Sequence, residues 1–117
     1  MNTSIQRIGT SKRWSDIVIH GGVMYVVEVP PGDAGDITSQ TRAVLASLED
    51  SLEQAGSSKE RLLLVTIFLT DITEIDAFNA VWDAWVPEGT APVRACVQAR
   101  LANPDYRVEL QVTAAVG

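Results

Sequence analysis

The sequence predicts one α+β domain, residues 1–117, with two helices on one side of a mostly β sheet. Three observations carry that expectation. Hydrophobic period switches between two and about 3.6 along the chain, in the order β-β-β-α-β-α-β-β. A length of 117 residues suits a single core that needs neither disulfide nor metal. The apolar share is 46% and the charged share 21%, which places the chain among folded domains and away from disordered ones.

A short strand is expected within Ile5 to Ile8. Asp16 to His20 and Val23 to Val27 are β-rich runs separated by Gly21-Gly22, a two-residue hairpin signal because glycine accepts positive φ cheaply. Pro30-Pro31-Gly32 ends the second run. Asp36 to Ala55 reads as an amphipathic helix, with Ile37, Val44, Leu45, Leu48, Leu52 and Ala55 on its apolar stripe and Gly56 as its stop. Arg61 to Leu69 is nearly continuous in aliphatic residues, as in a central strand buried on both faces.

A second helix is expected from about Thr73 to Val86, with Thr73 or Asp71 as cap and Ile75, Phe78, Val81, Trp82 and Trp85 as its stripe. Pro92 to Gln98 and Val108 to Val116 complete the sheet. The last alternates Val108, Leu110, Val112 and Ala114 against Glu109, Gln111 and Thr113. Two helices cover only one face of six strands, so the other face predicts association with further copies of the chain.

The formal net charge of −6 disfavours nucleic acid and anionic membranes as partners. A single cysteine, Cys96, excludes an intrachain disulfide and suits a reducing compartment. One His and one Cys cannot form the usual zinc site. Met1 to Gly9 is polar, unlike a signal peptide, and no apolar run reaches membrane-span length. A cytoplasmic protein is expected.

Alternation puts Arg94, Cys96, Gln98 and Arg100 on one face of the fifth strand and Val93, Ala95, Val97 and Ala99 on the other. The apolar set is expected to meet the helices, which turns the Arg94 set toward a subunit contact. Glu109 lies on the polar face of the last strand, so Arg94, Cys96 and Glu109 become candidates for one cleft. An arginine fork binds a carboxylate in bidentate fashion, and a glutamate can relay protons to and from water. The alternative is a structural Arg94–Glu109 ion pair.

Cys96 reads as a small buried residue or as a thiol nucleophile, although no histidine stands where it would activate the sulfur. His20 reads as an exposed turn neighbour. Trp14 lies outside any periodic element and is either a cleft wall or a loop anchor. Asn79 sits between apolar positions of the second helix, where it bridges backbone groups or touches a ligand.

Ala91-Pro92-Val93-Arg94-Ala95-Cys96-Val97, followed by Glu109 on the last strand, resembles the "APAR-x-C-V … VEI" ending of the YjgF/RidA (RutC) family. Val65 to Asp71, "VTIFLTD", resembles that family's "VTVFLTD" strand, and Phe78-Asn79-Ala80-Val81-Trp82 resembles its second helix. "RWSDIVIH" and "WDAWV" resemble the YoaB-like subgroup.

The resemblance implies a chorismate-mutase-like fold, a homotrimer with clefts between subunits, and no metal or organic cofactor. It implies hydrolysis of enamines and imines such as 2-aminoacrylate to 2-keto acids and ammonia. Under it, Arg94 grips the substrate carboxylate, Glu109 positions or activates water, Cys96 lines the cleft and Asn79 supports the pocket.

Two departures bear on that reading. Arg13-Trp14-Ser15-Asp16 stands where the archetype has "G-P-Y-S", so Trp14 replaces a tyrosine without its hydroxyl. Val26-Val27-Glu28-Val29-Pro30 stands where the archetype has "S-G-Q-I-P", which removes a serine and adds the Glu28 carboxylate, a second acid–base candidate or a loop tether. The alternative function is a non-catalytic, carboxylate-binding or chaperone-like trimer. Ribonuclease activity, attached to parts of the family, suits an acidic chain with no His/Lys set poorly.

Overall fold

The computed structural model describes residues 4–32 and 35–117; the first three residues of the polar Met1–Gly9 stretch lie outside it. Among the described residues the order is β1 (Gln6–Ile8), β2 (Ile17–His20), β3 (Val23–Glu28), α1 (Ile37–Ala55), β4 (Leu62–Leu69), α2 (Ile75–Trp85), β5 (Val93–Gln98) and β6 (Val108–Ala115). Short 3₁₀ turns, Lys59–Arg61 and Ile72–Glu74, precede β4 and α2.

The ends of α1 follow from local chemistry. Asp36 caps it by accepting from the Ser39 backbone N–H at 2.8 Å. Gly56 closes it at φ 81°, a left-handed conformation that a side chain would disfavour. The predicted second helix is split by its cap: Asp71 accepts from the Thr73 N–H, and the first turn is 3₁₀ before α2 proper begins at Ile75. Both glycines of the β2–β3 hairpin have positive φ, 60° at Gly21 and 78° at Gly22, as a tight hairpin requires.

The strands form one sheet in the order β1-β2-β3-β6-β4-β5. Only β4 and β5 run parallel, with α2 as the crossover between them. β3 and β4 both pair antiparallel with β6, and α1 crosses over β6 to join them.

The core lies between the helices and alternate sheet positions, among them Met24, Val26, Val65, Ile67, Leu110 and Val112. Leu45, Leu48 and Leu52 reach it from α1, and Phe78 and Trp82 from α2. Burying side chains of this size contributes about 1.5–3 kcal/mol each. Gln40 is buried with its polar atoms satisfied: it donates to the carbonyls of Gly35 and Asp105 and accepts from the Arg107 N–H.

Two expectations are corrected. β4 is buried on one face only within the chain, because Leu63 and Leu64 stay exposed. On β5 the faces are inverted. Arg94 and Cys96 pair in register with buried Val65 and Ile67, so they sit beneath α2. Val93 and Val97 point to the open side, where Val93 is 69% exposed. The apolar set of an edge strand meets solvent here, while the arginine set meets a helix.

Candidate functional site

β5 is the sheet's edge strand, and its helix-side residues form a row at that edge. Arg94 Nη1 donates to Asn79 Oδ1 at 2.7 Å. The guanidinium carbon also lies 5.7 Å from the centre of the Trp82 ring. Asn79 and Trp82 are three residues apart on α2, so both belong to the helix face that meets β5. Arg94 remains exposed. A charged fork braced from behind is the arrangement that binds a carboxylate.

Cys96 follows on the same face, half-buried against the core. Burial pushes its thiol pKa up, against the opposing pull of Arg94, so the sulfur is held as a neutral thiol. That favours packing over nucleophilic attack. Gln98 accepts from the Ile72 N–H at 2.9 Å and ties the end of β5 to the 3₁₀ turn before α2.

Glu109 lies elsewhere. It pairs in register with Phe68, which pairs with Val97, and all belong to the open face. Arg94 and Glu109 therefore occupy opposite faces of the sheet within one chain. Neither the ion pair nor the shared cleft forms within a single chain.

Trp14 projects from the β1–β2 loop and is 62% exposed. Its backbone is pinned: the Ser11 N–H donates to the Trp14 carbonyl at 2.8 Å, and Ser11 Oγ accepts from the Trp14 N–H at 3.2 Å. The loop is anchored by its backbone, which leaves the indole free as a wall. β2 pairs with β3 only as far as Ile17 opposite Val26, so Val27 to Val29 have no β2 partner. A concavity of about 1050 Å³ opens there, lined by Trp14, Ser15, Val27, Glu28 and Ser51 among others.

Glu28 accepts a short hydrogen bond from Ser51 Oγ of α1. Burial raises its carboxyl pKa; the Ser51 bond opposes the rise, and the charges of Asp16 and Asp50 add to it. The sequence alone did not bring Ser51 to Glu28, since 23 residues separate them. His20 is exposed with Nδ1 3.2 Å from the Ser4 carbonyl, as expected of a turn neighbour. Among the described residues no group of three His, Cys, Asp or Glu side chains is placed to hold a metal ion. Among the same residues, no helix is long and apolar enough to cross a membrane.

The register row Glu28–Leu110–Ile67–Cys96 spans β3, β6, β4 and β5. Three strand spacings put its ends roughly 14 Å apart. One chain thus carries two separated clusters, an arginine edge at β5 and an indole–carboxyl notch beside β3.

Its likeness to known proteins places the chain in the YjgF/RidA (RutC) family. The family described as Endoribonuclease L-PSP matches residues 4–116. The chain is 47% identical over 113 residues to the RutC family protein YoaB of Escherichia coli K12, covering 97% of this chain and 99% of that one. A RutC family protein of Haemophilus ducreyi is 36% identical, with 96% and 97% covered. Among solved structures, a YjgF family member from Neisseria meningitidis superposes with a TM-score of 0.94 at 39% identity, covering 98% of this chain and 97% of that one. A putative translation initiation inhibitor from Salmonella typhimurium does so at 0.91 and 47%, covering 98% and 100%.

Proposed function

We propose that this chain hydrolyses reactive imines and enamines of the 2-aminoacrylate type, and that it works as a cytoplasmic homotrimer whose clefts lie between copies. The observation that carries the reading is the braced Arg94 fork at the sheet edge. Opposite-face placement of Glu109 supports a cleft that joins Arg94 of one copy to Glu109 of another. The open face supports association as well: Tyr25, Val27, Leu64, Val93 and Val97 are large apolar side chains left exposed on it.

In this mechanism Arg94 holds the substrate carboxylate, which places the adjacent C=N carbon in the cleft. An enamine first takes a proton at its terminal carbon and becomes the imine. Glu109 accepts a proton from water as the oxygen attacks the imine carbon. The imine nitrogen takes up a proton in the same step, giving a neutral carbinolamine; Glu109 then returns its proton to that nitrogen, ammonia leaves, and the hydroxyl releases its proton to solvent as the C=O of the 2-keto acid forms. Cys96 and Trp14 contribute walls, and Asn79 steadies the arginine. No metal or organic cofactor is required by these steps.

Loss of enzymatically generated 2-iminobutyrate tests the proposal. Acceleration over buffer is expected; a folded, assembled protein that gives none would overturn the deaminase reading for that substrate.

The second reading is a non-catalytic carboxylate-binding or chaperone-like trimer. It is favoured by the exposed, hydroxyl-free Val27 beside Glu28 in the segment where the archetype carries serine. A 2-keto acid that raises Tm without turnover of any imine would select it. The endoribonuclease of the family description is not adopted for this chain, whose net charge is −6 and whose lone histidine sits exposed at a hairpin.

A further inference from the structure

Arg94 is not simply an exposed charge; a stack of aromatic rings lies behind it. Trp82 is 4% exposed and packs 6.0 Å from Phe78 and 5.7 Å from Trp85, centre to centre. Trp85 is itself held: its indole N–H donates to Glu49 Oε1 of α1 at 2.5 Å, and Lys59 lies 5.5 Å over its ring while pairing with Glu49 at 3.4 Å. The Trp82 ring is thus fixed by its neighbours, and the Arg94 guanidinium lies over it. Asn79 adds one hydrogen bond to Nη1. One hydrogen bond leaves a guanidinium free to swing about that contact, whereas a hydrogen bond and a ring contact together restrict its plane.

From this geometry we infer that Trp82 is a positioning residue for the carboxylate site. It holds the Arg94 guanidinium in the plane that a bidentate carboxylate needs, before any ligand arrives. The inference rests on the carboxylate-binding role proposed for Arg94. The side chain is ordered in the free protein, so less freedom is lost on binding. The contribution falls on affinity rather than on the chemical step, because Trp82 is buried and touches no reacting atom.

The test uses the full chain and 2-oxobutyrate as the probe, with binding followed by calorimetry. Trp82→Leu removes the aromatic face and is expected to weaken binding about two- to tenfold, the cost of ordering one long side chain. Trp82→Phe keeps a ring at the same place and should recover most of that loss. In an Arg94→Ala background, Trp82→Leu should have no further effect on affinity, since the tryptophan acts through the arginine. With an imine substrate, KM should rise in Trp82→Leu while kcat stays near wild type. NMR of the free protein adds a readout that needs no ligand: the Arg94 Hε resonance should carry a ring-current shift that Trp82→Leu abolishes.

Unchanged affinity in Trp82→Leu, with wild-type binding intact and weakened by Arg94→Ala, would overturn the role of Trp82 alone. An equal loss in the Arg94→Ala background would show a purely structural effect and overturn it too. A wild-type protein that does not bind 2-oxobutyrate would overturn the Arg94 reading and this inference with it. Should Trp82→Leu fail to fold, the Hε shift decides: a ring-current shift of Arg94 Hε in the wild-type protein supports the proposal, and an unshifted Hε overturns it.

Discussion

Arg94 Nη1 donates to Asn79 Oδ1 at 2.7 Å, which fixes the guanidinium on the helix side of β5. The Arg94 side chain is exposed at an edge of the sheet. Removing it should therefore affect ligand binding more than folding. Arg94→Ala is expected to weaken 2-oxobutyrate binding by about 2 kcal/mol, or roughly 30-fold, as for the loss of a charge-assisted hydrogen bond. Arg94→Lys should recover little, because an ammonium does not present a planar fork. Titration calorimetry of the three proteins checks this; equal affinities would remove Arg94 from the site.

The opposite-face placement of Arg94 and Glu109 has a direct test. Glu109→Gln should lower kcat by about 100-fold or more if the carboxylate is the proton acceptor, with little change in 2-oxobutyrate affinity. At low substrate, Arg94→Ala and Glu109→Gln should each turn over far more slowly than wild type. Unfolding the two together and refolding them as mixed oligomers should restore turnover, because about a quarter of the clefts in a randomly mixed ring receive both intact groups. Turnover no greater than the sum of the separate variants would mean that each cleft draws both groups from one chain.

Much of the fold was legible in the sequence because each element announces itself locally. The period of α1 and its Gly56 stop are properties of adjacent residues, and the structure places both where expected; Asp36, read as the first residue of the helix, is instead its cap. The face of β5 was not legible. Alternation separates Arg94 and Cys96 from Val93 and Val97, but hydrophobicity does not say whether an apolar face is covered by the chain's own helices or left open. The inward side was decided by α2, whose Asn79 and Trp82 receive an arginine in place of an aliphatic residue. Trp82 read as core, which it is, yet its contact with Arg94 depends on a strand and a helix meeting. The Glu28–Ser51 bond likewise exists only once α1 is laid against the sheet.

Leu64 and Val93 are register partners on the open face, and both are exposed in the single chain. If copies of the chain cover this face, a charge there would be buried without a partner. Leu64→Lys or Val93→Lys should dissociate the oligomer to monomers in sedimentation velocity, with far-UV circular dichroism unchanged. Imine hydrolysis should fall with the assembly, although Arg94 lies on the other face. Intact oligomers in both variants would place the subunit contact elsewhere.

Glu28 sets a pH dependence of stability. Burial, with Asp16 and Asp50 nearby, raises its pKa in the folded chain, so the native state holds this proton more tightly than the unfolded state does. Its contribution is therefore fully present below the ordinary glutamate pKa of about 4.3 and is lost as pH rises through the raised value. At neutral pH the ionised Glu28 is a net cost, moderated by the Ser51 hydrogen bond and by solvent reaching the half-buried carboxylate. Glu28→Gln keeps an oxygen that can accept from Ser51 and removes the charge. It should raise Tm by roughly 1–3 °C at pH 7, and the gain should shrink toward zero as pH falls to about 4. Thermal unfolding of both proteins between those limits checks the sign: a variant less stable than wild type at pH 7 and equal to it at pH 4 would show that the ionised Glu28–Ser51 bond stabilises the fold instead.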